Sequence, residues 1–401
     1  MPSSTLDTLD PAELGIRLQR ARKRASLTQK DAADVIGAAR TTMVAIEKGD
    51  RSIRPTELVA LARAYNRPVS DFVRERPSVE PFEVQFRAAP GASADDDPIR
   101  PVVAEWEDLC MSYLELEEAL GSPLPRDYPP EYAAEHLPTE LLAESIAASE
   151  RRRLGLGDGP IPRLRDVLEQ EVGLRVFCLP MPTPYSEMYA YDARLGGCLA
   201  VNQNHPAERQ RWSLAHGYLH FLAHRERPVI HFEGQYQRVP ESERLADAFA
   251  MHFLLPTASV IRRFAAYGRD GRFTVADLLT VADYFGVGVQ TLVLRLEGLR
   301  LLPSGTWDRL KDRGFRVRDA QEKLSLDPGS RERADKYPLY YQHLAIEALD
   351  EGSITEGRFA ELFGIGRVEA RQLAEALRER SSGLDEGATT VDLTVGSAQA
   401  A

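Results

Sequence analysis

The stretch from Arg211 to Pro256 constrains this chain more than any other. It reads RWSLAHGYLHFLAHR, then a polar interval, then ESERLADAFAMHFLLP. The first half carries apolar residues at helical spacing, with His216 and His220 four apart. Residues i and i+4 stack on one helix face, so both imidazoles can aim at one point. The second half is another amphipathic run, with Glu243 near its start, 23 residues beyond His220. Two histidines from one helix and a carboxylate from another are donors of the kind catalytic zinc uses, with a fourth position left for water. A histidine pair at this spacing also suits an ordinary packed core; Glu243 and its flanking residues favour the metal.

The zinc-peptidase motif His-Glu-x-x-His places a general base directly after the first histidine. Here that position is Gly217, which can move no proton. The ligands are kept and the base is missing, so no catalytic residue is expected. His224 lies four residues beyond His220, but three residues over two turns cannot all reach one tetrahedral ion. It is expected beside the centre or at the surface. Asp247, one turn beyond Glu243, is placed to orient a histidine. His231 and His252 have no motif support and read as structural.

The text RWSLAH-x-x-x-HFL followed by E-x-x-ADAFAMHFLLP resembles the ImmA/IrrE family of metallopeptidases. PRLRDVLEQEVGLRVF and LAVNQNHPAERQRWSLAH, upstream, extend the likeness over about Ile146 to Pro256. The resemblance implies zinc held by His216, His220 and Glu243, and puts the family's catalytic Glu at Gly217. It also implies a small sheet packed beside the metal-binding helix. Candidate strands are Leu174 to Leu179, Gly197 to Asn202 and, between them, Glu187 to Tyr191. The edge of that sheet is a natural place to hold an extended peptide by strand addition.

The N-terminal region carries a different signal. Leu14, Leu18 and Ala21 line one face of a first helix. Thr28 reads as the N-cap of a second over Gln29 to Ile36, and Gly37 breaks it. A third helix runs from Ala39 to Glu47 towards Gly49 as C-cap. Pro55 opens a fourth with Leu58, Leu61 and Ala62 inward, and a fifth begins near Ser70. Two short helices about a tight glycine turn are the helix-turn-helix pattern. S-L-T-Q-x-x-A-A-x-x-I-G-A-A-R-T-T-M-V-A-I-E-K-G resembles the Xre/Cro/CI family of DNA-binding domains over about Glu13 to Val73. The likeness implies a recognition helix whose Arg40, Thr41 and Thr42 face base edges. Gln29 is expected to touch phosphate or support that helix, and Arg51 and Arg54 to contact phosphate.

Charge agrees with a nucleic-acid-binding head. From Glu13 to Arg76 there are 14 Lys/Arg and 8 Asp/Glu, so a chain of net charge −11 joins a head of +6 to a remainder of −17. Cys110, Cys178 and Cys198 are far apart with no CxxC pair, as expected of reduced buried thiols in a cytoplasmic protein. No apolar run approaches the roughly 20 residues that span a bilayer.

The expected fold class is mainly α. A disordered leader (1–12) precedes a five-helix Xre-type domain (13–76), a linker (77–101) and a helical connector (102–140). An α+β zincin-like domain (141–260), a helical C-terminal region (261–380) and a disordered tail (381–401) follow. The stripe Trp106, Leu109, Tyr113 and Leu116 is expected to pack between domains or in a dimer. Helix-turn-helix rhythms recur over Thr274 to Leu299 and Ala345 to Leu377, the latter as packing or dimerisation elements. The implied function is a homodimeric transcriptional regulator of duplex DNA with a degenerate zinc-peptidase domain. The alternatives are an active zinc peptidase cleaving a repressor, or the antitoxin of a toxin–antitoxin pair.

Overall fold

The computed structural model describes residues 10–25, 27–65, 67–73, 82, 85–86, 98–132, 137–232, 239–267, 273–324 and 335–382. Most of the expected leader and linker, and the tail from 383 onward, lie outside these residues. The chain divides into two compact units, residues 1–78 and 79–401.

Among its described residues the first unit holds five short helices: α1 (Pro11–Arg24), α2 (Gln29–Val35), α3 (Arg40–Lys48), α4 (Pro55–Ala64) and α5 (Ser70–Val73). Local signals set their ends. Asp10 caps α1, and Thr28 with Asp31 forms a reciprocal capping box on α2. Gly49 ends α3 at φ 79°, a left-handed conformation that costs glycine little. Leu14, Leu18, Ala33, Met43, Ile46, Leu58, Leu61 and Phe72 pack into one core. A buried ion pair crosses it, Arg22 Nη2 lying 3.0 Å from Glu47 Oε2, and ties α1 to α3.

The second unit is built on a four-stranded mixed sheet of order β1-β3-β2-β4. The strands are β1 (Arg175–Leu179), β2 (Tyr185–Asp192), β3 (Gly196–Asn202) and β4 (Val229–Phe232). β1 pairs parallel with β3; β2 pairs antiparallel with both β3 and β4. The fourth strand was not anticipated from the sequence. At the β1 edge, Cys178 N donates to Lys336 O at 3.2 Å, which leaves β4 as the other edge.

Strand alternation sends side chains to opposite faces, and both faces are covered. Val176, Cys178, Tyr189, Leu199 and Val201 meet the front helices α7 (Thr139–Arg153), α9 (Ala207–Ala223) and α10 (Glu241–Leu254). A short helix, α8 (Leu164–Val167), precedes β1 and joins the same core. Phe177, Leu179, Met188, Ala190, Cys198 and Ala200 meet a second core on the back. That core is roofed by α6 (Arg100–Leu120) and by the last helices, α16 (Leu339–Asp350), α17 (Glu356–Phe363) and α18 (Arg367–Ser382). The stripe Trp106, Leu109, Tyr113 and Leu116 is therefore an internal lid on the sheet, inside the second unit. The last helix-turn-helix rhythm is packing of the same kind.

Between α10 and α16 come α11 (Thr257–Tyr267), α12 (Val275–Phe285), α13 (Val289–Gly298), α14 (Thr306–Asp312) and α15 (Val317–Lys323). Of these, α12 and α13 extend the front core through Leu278, Leu279, Phe285, Leu292 and Leu296. Cys110, Cys178 and Cys198 are free and buried. Among the described residues no single helix is long and apolar enough to cross a membrane.

Candidate functional site

Helix α9 runs along the front of the sheet with both candidate histidines buried, His216 at 2% and His220 at 1% exposure. α10 crosses it and brings Glu243 between them. Glu243 Oε2 lies 3.3 Å from His216 Nε2, and Glu243 Oε1 lies 3.6 Å from His220 Nε2. The three expected ligands thus converge. Asp247 does what its spacing predicted, its Oδ1 standing 3.1 Å from His216 Nδ1. That contact turns His216 so that Nε2 faces the cluster.

Two further residues arrive from strands. Glu187 on β2 is buried, with Oε1 3.6 Å from His216 Nε2. His231 on β4, which the sequence left as structural, places Nδ1 3.0 Å from Glu243 Oε2. Glu187 and His231 are cross-strand partners in the β2–β4 register. His224 caps the end of α9, half-buried, its ring 5.5 Å from that of His220. His252 is elsewhere, between Glu140 and Arg295, and is structural as expected.

The charges are strongly coupled. Burial pushes His216 down, but the carboxylates of Glu187, Asp247 and Glu243 outweigh it and hold the imidazole well above its ordinary value. His220 falls well below the ordinary value, first through burial and then through His216. Burial raises Glu243, yet the adjoining imidazoles of His216 and His231 hold it well below the usual carboxylate range. Glu187 is raised by burial, against the pull of His216 and His231.

A divalent cation fits this donor set. His216 Nε2, His220 Nε2 and Glu187 Oε1 are all buried without a hydrogen-bond partner among the described residues. Orphaned polar atoms in a core carry a free-energy cost unless something satisfies them. Glu187, His216 and His220 offer ligand atoms within 4.8 Å of one another, as do His216, His231 and Glu243. Imidazole and carboxylate together suit zinc.

Gly217 has a packing reason. A Cβ built there falls closer than 3.0 Å to Leu199 Cδ1, and 3.4 Å from Leu199 Cγ and Cδ2. Leu199 on β3 would have to shift to admit a side chain after His216, so the sheet sits tight against α9.

In the first unit α3 presents Arg40 and Thr41 to solvent, with Thr42 half-buried. Gln29 Nε2 donates to Glu47 Oε2 at 2.9 Å, and Arg40 Nη2 lies 3.5 Å from Gln29 Oε1. Gln29 thereby links the start of α2 to the end of α3. Arg51 forms a two-pronged pair with Glu57 at 2.9 and 3.1 Å, while Arg54 is exposed at the N-cap of α4.

No curated protein matches the chain. Residues 13–72 match the family model of a helix-turn-helix domain. Residues 169–297 match that of the IrrE N-terminal-like domain. The chain thus joins a helix-turn-helix head to an ImmA/IrrE-like body, the pairing its motifs foretold.

Proposed function

We propose that this protein is a DNA-binding transcriptional regulator whose body holds a zinc ion on His216, His220 and Glu243 and has lost peptide hydrolysis. The observation that carries the reading is the convergence of two orphaned, buried imidazole nitrogens on one carboxylate, beside a helix position whose glycine carries no base. When bound, zinc polarises what it touches and can activate water. Among the chain's own residues, Asp247 orients His216 and His231 orients Glu243 through hydrogen bonds. Gly217 offers no group to take a proton from water or return one to a leaving amine. Loss of a positioned general acid–base typically lowers a rate about 10²–10⁴-fold.

The head is read as binding duplex DNA as a homodimer, with Arg40, Thr41 and Thr42 at base edges. Gln29 braces that helix, and Arg51 and Arg54 face phosphates. The exposed start of α3 and the +6 charge of residues 13–76 support this. The test has two arms on the full chain. Selection from random duplexes at physiological salt should enrich a two-fold-related sequence, and equal affinity for every duplex overturns the regulator. Metal analysis should find one equivalent of zinc, lost in His216→Ala. A metal-free natural protein, after loading was attempted, overturns the centre.

A further inference from the structure

We propose that Glu187 is a fourth protein donor to the metal, closing the centre so that no position remains for water. This rests on the reading of His216, His220 and Glu243 as ligands. Distances carry the inference. Zinc–nitrogen and zinc–oxygen bonds of about 2.0–2.2 Å in a tetrahedron set donor atoms about 3.3–3.6 Å apart. His216 Nε2 stands 3.3 Å from Glu243 Oε2 and 3.6 Å from Glu187 Oε1. The other Glu243 oxygen, Oε1, stands 3.6 Å from His220 Nε2, and Glu187, His216 and His220 each bring one ligand atom within 4.8 Å of the others. Glu187 therefore meets His216 at 3.6 Å, against 3.3 Å for the expected ligand Glu243, and both lie in the tetrahedral range.

Its surroundings point the same way. Glu187 is 2% exposed, and Oε1 has no hydrogen-bond partner among the described residues. Ser213 hydrogen-bonds the same carboxylate and steadies it. His231 is the weaker candidate, because its Nδ1 is already engaged by Glu243 and its side chain is 27% exposed. Four protein donors characterise structural zinc sites, whereas catalytic sites keep one position open. A closed His2Glu2 centre and a glycine at the base position are two expressions of one change, from a hydrolytic site to a structural or sensing one.

Cobalt(II) substitution tests this in the full-length chain. The protein is stripped with chelator and reloaded, and its visible spectrum is followed with and without acetohydroxamate, a small ligand that needs an open position. The natural protein should give a four-coordinate spectrum that acetohydroxamate leaves unchanged. Glu187→Gln, of the same shape, should bind cobalt about tenfold or more weakly against a competing chelator, and its spectrum should now respond to acetohydroxamate.

A response in the natural protein overturns closure without need of any variant. Unchanged affinity in Glu187→Gln, or weakening in His231→Gln instead, overturns the role of Glu187 while the three-ligand reading stands. Peptide cleavage by the natural protein that Glu187→Gln abolishes at unchanged affinity would make Glu187 a relocated base, and overturns closure too. Failure of the natural protein to bind cobalt removes both the fourth donor and the centre.

Discussion

Gly217→Ala isolates the contact between α9 and Leu199. An interior Gly→Ala change ordinarily stabilises a helix by about 1 kcal/mol. Here the new Cβ falls within 3.0 Å of Leu199 Cδ1, and Leu199 is fully buried between α9 and the sheet. Overpacking of this kind costs about 1–3 kcal/mol. The net expectation is no gain, or destabilisation by up to about 2 kcal/mol. Leu199→Ala alone should cost about 2–5 kcal/mol. In that background the added methyl has room, and Gly217→Ala should become stabilising by about 1 kcal/mol. The resulting coupling of about 1–3 kcal/mol is in the range of contacting pairs. Urea unfolding by tryptophan fluorescence, with chelator present to remove metal linkage, measures it. All three tryptophans, Trp106, Trp212 and Trp307, lie in the second unit, so the signal belongs to the right part of the chain. A stabilised Gly217→Ala protein whose effect simply adds to that of Leu199→Ala would refute the reasoning.

Three other outcomes follow from the geometry. Asp247→Ala should lower zinc affinity about 10–100-fold in a competition titration while the unfolding curve in chelator stays unchanged, since Asp247 positions His216 from a half-exposed site. Glu169 is raised to about 7, chiefly by burial, so the folded protein holds that proton more tightly than the unfolded chain. Stability from this group is full below its unfolded value of 4.5 and is lost as pH rises through about 7, by up to ~3 kcal/mol at ~1.4 kcal/mol per pH unit. Urea midpoints at pH 5 and 8 should accordingly differ less in Glu169→Gln than in the natural protein. Arg40→Ala should relax base preference at one operator position, costing about 1–3 kcal/mol on the preferred duplex and little on others in binding titrations.

The residues legible in the sequence were those whose partners lie one helical turn away. His216 and His220 declare themselves by spacing, and Asp247 follows from Glu243 for the same reason. The head was legible because Thr28, Gly49 and Pro55 each act on their own helix ends. Glu187 and His231 were not, because strand pairing joins them across 44 positions of chain, with a register irregularity beside Glu187. No local period encodes that meeting. The stripe on α6 was visible as an apolar face, but its partner, the back of a sheet, is formed by strands more than 50 residues away.

The roof over the back of the sheet bears on how such a body can be inherited. The IrrE N-terminal-like match ends at residue 297, yet Phe177, Leu179, Met188 and Ala200 are covered by α6, before the match begins, and by helices beyond residue 338. Excised at the limits of the match, the domain would present that apolar face to water and tend to self-associate. Recombination could move this metal-bearing body intact only by carrying both flanks with it. The transferable unit is therefore more than twice the length of the segment by which its kinship is recognised.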